Sequence, residues 1–207
     1  MEEILDSARP KNTTLSAENG SSQEIAWVIA SQQGDVVSFN RLVLKWERSI
    51  YNLTLRMLRD ADEAAEATQE VFLLAFKGIR RFRLDAQFST WLYRIAANLC
   101  TSRLRKRPPG VHLSLDGSAE GVEVGLNLPA RDCQERDLLK QETDRRVRRA
   151  LDQLPQEQRI VVELKFFQDL TFEQIAAVLG APLSTVKSRL YNGLETLKSR
   201  LGRPASA

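Results

Sequence analysis

Between Arg80 and Arg107 the chain interleaves cations with aromatic rings. Phe82, Phe88, Trp91 and Tyr93 stand among Arg80, Arg81, Arg83 and Arg94, and Arg103, Arg105, Lys106 and Arg107 close the run. Cations of this kind track a phosphate backbone, and rings stack on unpaired bases at roughly 1–3 kcal/mol per base, so the pattern suits single-stranded nucleic acid. Trp91, Leu92, Ile95, Ala96 and Leu99 have core spacing. That leaves Phe82 and Phe88, in or beside the preceding turn, as the better candidates for base contact. A second set lies near the C-terminus: Thr185, Lys187, Ser188, Arg189, Tyr191 and Asn192. Short hydroxyls, amides and cations near a helix N-terminus suit phosphates and base edges in a major groove, which is duplex chemistry.

Catalytic chemistry finds little support. The chain has one histidine, His112, and two cysteines, Cys100 and Cys133, which are not spaced as a metal pair. It has no Gly-rich phosphate loop and no nucleophile constellation, so neither a metal nor another cofactor is expected. Cys100 sits in an apolar helical pattern and reads as a core residue.

Each set needs an element to hold it. Thr171 with Gln174 is a capping-box pair ahead of an apolar run, with Ile175, Ala176 and Leu179 on one face. Gly180 can take the positive φ that ends a helix, and Pro182 stops its continuation. Ser184 is a suitable N-cap for a second helix, in which Val186, Leu190, Leu194, Leu197 and Leu201 form an inward stripe. The spacing predicts a helix-turn-helix. One position fits poorly, because Arg189 stands where the last apolar anchor belongs and Leu190 comes one residue late. Two packed helices with a solvated polar face remain the plain alternative.

Upstream, Phe39, Leu42, Val43, Trp46, Ile50, Leu53 and Met57 recur at helical steps. A further helix spans about 61–76, with Ala64, Ala67, Val71, Leu74 and Ala75 inward and acids outside. A turn-like basic segment over 78–87 leads to a helix from about Ser89 or Thr90 to Arg107, stopped by Pro108, Pro109 and Gly110. The expectation is an all-α protein of two small domains, 23–107 and 134–203, joined by a flexible Gly/Pro-rich linker over 108–133 and preceded by a loosely ordered polar tail, 1–22.

Charge is distributed unevenly although the formal net charge is only +3. Lys77 to Arg107 holds nine Lys or Arg and one acid, Asp85, whereas Asp60 to Glu70 holds five acids and no base. The basic regions call for a polyanion and the acidic helix for a different partner. No apolar run is long enough to span a membrane and the polar N-terminus lacks a signal-peptide core, so a cytoplasmic protein with no membrane contact of its own is expected.

The segments DADEAAEATQEVFLLAFKGIRRFR, FSTWLYRIAANLCTSRLRKR and LPQEQRIVVELKFFQDLTFEQIAAVLGAPLSTVKSRL, with the linker between the last two, resemble a bacterial sigma factor of the extracytoplasmic-function class. The resemblance covers about residues 24–203. It implies region 2-like and region 4-like domains in that order, with no middle domain. It further implies binding to core RNA polymerase, at the β′ clamp helices through Asp60, Asp62, Glu63, Glu66, Gln69 and Glu70, and at the β flap. The loop Phe82 to Ser89 and the helix through Asn98 match the element that reads the −10 sequence. There a flipped non-template base would be held by Phe82 and Asn98, with Arg83 and Phe88 beside them and Arg103, Arg105, Lys106 and Arg107 on phosphates. The helix-turn-helix would read −35 as duplex.

Two departures limit the transfer: Ser184 stands where relatives often have Gly, and Asn192 where they often have Arg. Asn192 could favour an adenine, since amides pair bidentately with that base. An anti-sigma partner is implied by resemblance alone, and no small-molecule substrate is implied. A free-standing dimeric DNA-binding regulator is the competing expectation, although it has no use for the basic-aromatic or the acidic helix.

Overall fold

The computed structural model describes residues 13–107, 146–147 and 149–201. The linker expected over 108–133, with His112 and Cys133, lies outside the described residues, as do positions 1–12 of the expected tail. All regular structure among the described residues is helical: α1 Thr13–Gln32, α2 Val36–Leu58, α3 Ala61–Gly78, a 3-10 turn Ile79–Arg81, α4 Phe88–Lys106, α5 Gln156–Phe166, α6 Phe172–Leu179 and α7 Leu183–Leu201, with further helical residues at 146–147 and 149–152. Thus α1 opens at Thr13, before the helical pattern becomes legible near Gln23.

In the first domain local chemistry sets the starts of α2 and α3 and the stop between them. Asp35 caps α2, accepting from Val37 N at 2.9 Å and from Ser38 Oγ at 2.6 Å. The helix stops at Arg59, which takes a left-handed φ of 62° and donates its N–H to the Leu55 carbonyl. One residue on, Asp60 caps α3 by accepting from Glu63 N at 2.7 Å. Leu42, Ile50, Leu53, Met57 and Leu58 of α2 are fully buried, and Ala64, Ala67 and Ala75 of α3 give α2 and α4 room to approach. Thr54 Oγ1 hydrogen-bonds across that contact to the Ala64 carbonyl at 3.2 Å and to Thr68 Oγ1 at 3.0 Å.

This last contact corrects one expectation. Because Thr68 is pinned against α2, the inward stripe of α3 runs along the Thr68–Phe72 side. Phe72 is buried and Leu74, expected inside, is 41% exposed. Helix α4 also starts earlier than Ser89, because the Phe88 ring is itself a core group, 4% exposed.

The second domain follows its sequence signals closely. Pro155 stands immediately before α5. The capping box at α6 is complete: Gln174 N donates to Thr171 Oγ1 at 3.2 Å and Thr171 N to Gln174 Oε1 at 2.8 Å. Gly180 ends α6 at φ 60°. Two details differ. The buried face of α6 is Ile175 and Val178, with Ala176 and Leu179 half-buried beside them. Ser184 is not the N-cap of α7, because the Pro182 carbonyl already accepts from Val186 N at 3.1 Å and the first turn includes Leu183. Val186 and Leu190 are buried, whereas Leu194, Leu197 and Leu201 are half-buried. Gly193, which periodicity passes over, is buried where α7 meets α5: a Cβ there would lie 3.3 Å from Val162 Cγ2.

The two domains touch. Helix α6 lies along α4, and α5 meets the end of α2. A flexible tether alone does not predict that contact.

Candidate nucleic-acid interface

The −10 candidates occupy the turn before α4 and the helix itself. The 3-10 turn folds the chain back, and Gln32 Nε2 secures it by donating to the carbonyls of Ile79 at 3.1 Å and Phe82 at 2.7 Å. Phe82 is thereby tucked under α4, with ring centroids 6.0 Å from Phe88 and 4.9 Å from Trp91. Gly78 makes room for that cluster, since a Cβ there would come within 3.1 Å of Trp91 Cζ2. The expectation for these rings is therefore reversed in the free chain. Phe82 (8% exposed) and Phe88 (4%) are core groups, and Trp91 is the half-exposed member. The reason is the short connection: the five residues between Phe82 and Phe88 keep both phenyl rings beside the Trp91 ring, where packing them together removes them from water. Asn98 is exposed on α4, as are Arg105 and Lys106, and Arg83 is exposed with only Asp85 nearby at 3.2 Å.

Arg103 and Arg107 behave differently from their neighbours. Arg103 bonds Glu70 Oε2 at 2.6 Å and lies 3.7 Å from Glu66, while Arg107 pairs with Glu63. The proximity of those carboxylates, the Glu70 hydrogen bond foremost, raises the Arg103 pKa above its ordinary value. Two cations assigned to phosphates are thus held by the acids assigned to the polymerase, so the two sets share one face of the α3–α4 pair. Of the other polymerase-side candidates, Asp60 is engaged as the α3 cap, and Asp62 and Gln69 are exposed. Beside them α3 exposes Leu73 (51%), Leu74 (41%) and Phe76 (43%), an apolar strip that the acid pattern conceals in sequence. Its only sequence signal is a run of apolar residues wider than one helix face can bury.

On α7 the −35 candidates form one surface. Lys187, Ser188, Tyr191 and Asn192 are exposed and Thr185 is half-buried. The Ser188 hydroxyl is turned back to the Thr185 carbonyl at 3.0 Å, and Lys187 Nζ stands 5.7 Å over the Phe172 ring. The anchor anomaly resolves simply: Leu190 is the buried residue, and Arg189 lies at the edge, paired with Glu157 of α5. Among the described residues no cluster of His, Cys, Asp or Glu could hold a metal, and no helix is long and apolar enough to cross a membrane.

With this geometry in view, the comparisons are specific. The Sigma-70 region 2 family matches residues 42–108 and the Sigma-70 region 4 family matches residues 144–197. The RNA polymerase sigma-H factor of Pseudomonas aeruginosa is 36% identical over 173 residues, covering 82% of this chain and 89% of that protein. The chain is a member of the sigma-70 family. Its relatives include extracytoplasmic-function (ECF) factors: SigW of Bacillus subtilis is 33% identical over 82% of this chain and 92% of its own length. Sigma-E of Escherichia coli is 32% identical over 82% and 90%. In fold, this sigma factor resembles CnrH, solved with the cytosolic domain of CnrY, at a TM-score of 0.65 and 19% identity over 87% of this chain and 97% of that one. It also resembles RpoE of Bartonella quintana, solved with the anti-sigma factor NepR, at 0.60 and 23% over 81% and 98%.

Cys100 lends itself to a direct check. It is fully buried in the first domain, and burial pushes its thiol up to about 12. A thiol in that state is inert at neutral pH. In a Cys133→Ser background, Cys100 is expected to resist a thiol reagent such as DTNB until denaturant is added. Rapid labelling of the native protein would contradict this placement.

Proposed function

We propose that this sigma factor directs core RNA polymerase to its promoters as an alternative, extracytoplasmic-function initiation factor in the cytoplasm. The first domain docks on the polymerase through the acidic and apolar outer face of α3. The α4 helix and the turn before it capture non-template −10 bases as they unpair, and α7 reads the −35 element as duplex. Capturing a flipped base must offset an unstacking cost of a few kcal/mol, so melting becomes favourable only where the sequence fits. No catalytic side chain is needed, because the polymerase performs the chemistry. The observation that carries this reading is the pairing, on one chain and in order, of region 2 and region 4 domains with separate exposed basic surfaces. Control by an anti-sigma protein is supported by the relative solved with NepR.

The test is run-off transcription with purified bacterial core polymerase on promoters from the source genome, with and without the protein. Protein-dependent transcripts sharing −10 and −35 elements are expected. No transcript, together with no binding to core, would overturn the reading.

A further inference from the structure

The loop that carries Arg83 is fixed at two ends. On one side the Phe88 ring, at the start of α4, sits in the core. On the other, Gln32 Nε2 donates to the Ile79 carbonyl at 3.1 Å and to the Phe82 carbonyl at 2.7 Å, so the two N–H groups of one amide engage two carbonyls. The Ile79 carbonyl also accepts from Phe82 N at 3.0 Å, whereas among the described residues the Phe82 carbonyl has Gln32 as its partner. Between these ends Arg83, Leu84, Asp85, Ala86 and Gln87 are exposed. Among the described residues, none of 83–86 hydrogen-bonds to the rest of the first domain, and the Arg83–Asp85 ion pair stays within the loop.

Gln32 is itself held. It is the last residue of α1 and is half-buried. Gly34 turns the chain at φ 100°, and Asp35 N donates back to the Ala30 carbonyl at 3.0 Å before the Asp35 side chain caps α2. This corner lies against the turn, since a Cβ on Gly34 would stand 3.8 Å from Arg80 Nη2. The backbone of Gln32 is therefore set by α1 and α2, which carry none of the DNA-facing candidates. Its amide transmits that position to the turn.

We propose that Gln32 is a positioning residue for −10 recognition. This role deepens the proposed function and rests on it. A loop of exposed residues has many conformations open to it, and ordering each residue costs entropy. Capturing one unpaired base requires groups held within about 0.5 Å of a productive arrangement. Asn98 stands on the rigid α4, whereas Arg83 stands on the loop, and both must face the same base. Fixing the Phe82 carbonyl sets where the loop leaves the domain, and so registers Arg83 against Asn98. Gln32 acts through the turn and touches no base. Its loss costs discrimination among −10 sequences more than it costs folding.

The test uses the full chain with Gln32→Met, which keeps the side-chain length and removes the donors. Gln32→Glu keeps the shape and turns an acceptor toward both carbonyls. Gln33→Met, at the exposed neighbouring position, is the control. The first readout is hydrogen exchange by mass spectrometry, which needs no promoter. Exchange over 79–88 should rise roughly tenfold in Gln32→Met and further in Gln32→Glu, the order expected when one or two hydrogen bonds are lost. Peptides from α2, α3 and the body of α4 should exchange as in the parent. The second readout is transcription by the holoenzyme from promoters randomised at −10 and, separately, at −35. Preference at −10 should fall roughly tenfold, more in Gln32→Glu than in Gln32→Met, with −35 preference and affinity for core unchanged. Gln33→Met should match the parent throughout. A side chain that only filled space would leave Gln32→Met like the parent. Unchanged exchange over 79–88 in both variants overturns the hold on the turn. Faster exchange there with −10 preference intact overturns the positioning role, as does a rise in exchange spread evenly over the domain. Exchange does not depend on promoter activity, so failure of the sigma reading would register separately, as absent transcription by the unmodified chain.

Discussion

Asn98→Ala lowers promoter-dependent transcription by roughly 5- to 150-fold without destabilising the protein, the range expected when one hydrogen-bond partner of a captured base, worth about 1–3 kcal/mol, is removed. Asn98 is exposed on α4 and makes no hydrogen bond through its side chain among the described residues, so the folded chain loses nothing. Alanine is also the better helix former. Phe82→Ala is the necessary contrast. Its ring is packed against Phe88 and Trp91, and truncation leaves a cavity costing about 3–5 kcal/mol. For a domain of this size each kcal/mol lowers the melting temperature by roughly 4–8 °C, so the loss should exceed about 10 °C. Calorimetry beside run-off transcription separates the two variants. Wild-type transcription by Asn98→Ala would remove that residue from the −10 contact, and an unshifted melting curve for Phe82→Ala would refute its burial.

On the −35 side, Asn192→Ala and Lys187→Ala should fail in different ways. Asn192 is exposed on α7, and its side-chain amide makes no hydrogen bond among the described residues. Its amide is free to read a base edge, and a good bidentate pair discriminates by about 1–3 kcal/mol. A library of −35 sequences transcribed by the holoenzyme should lose preference at one position in Asn192→Ala. Lys187 contacts a phosphate in this reading, so Lys187→Ala should weaken all sequences alike and reduce the salt slope by about 1. Its position over Phe172 contributes only about 0.5–1 kcal/mol at an exposed site, so folding is little affected. Sequence-specific loss in Lys187→Ala, or uniform loss in Asn192→Ala, would exchange the two roles.

Arg103 and Arg107 show where residue type alone misleads. Both carry the charge a phosphate contact needs, as do Arg105 and Lys106, but α3 presents Glu63, Glu66 and Glu70 to them. Four cations that look equivalent in sequence therefore fall into two paired with carboxylates and two exposed to solvent.

What the amino-acid sequence determined by itself was local. The Thr171–Gln174 capping box, the stop at Gly180, the α2 stripe from Phe39 to Met57 and the polar face of α7 all depend on residues within about one turn of each other, where helix geometry dictates who meets whom. The region order was legible only through the resemblance of whole segments to sigma factors. The tertiary structure alone decided the rest. Phe82 and Phe88 became core because the 3-10 turn delivers them to Trp91 and Gly78, and Leu74 stayed outside because Thr54 holds Thr68 inward. Arg56 meets Glu163 across 107 positions of sequence, a distance over which no periodicity constrains a pair. Charges are scattered along every solvated helix, and only the packing of one domain against the other selects which two are taken out of water together.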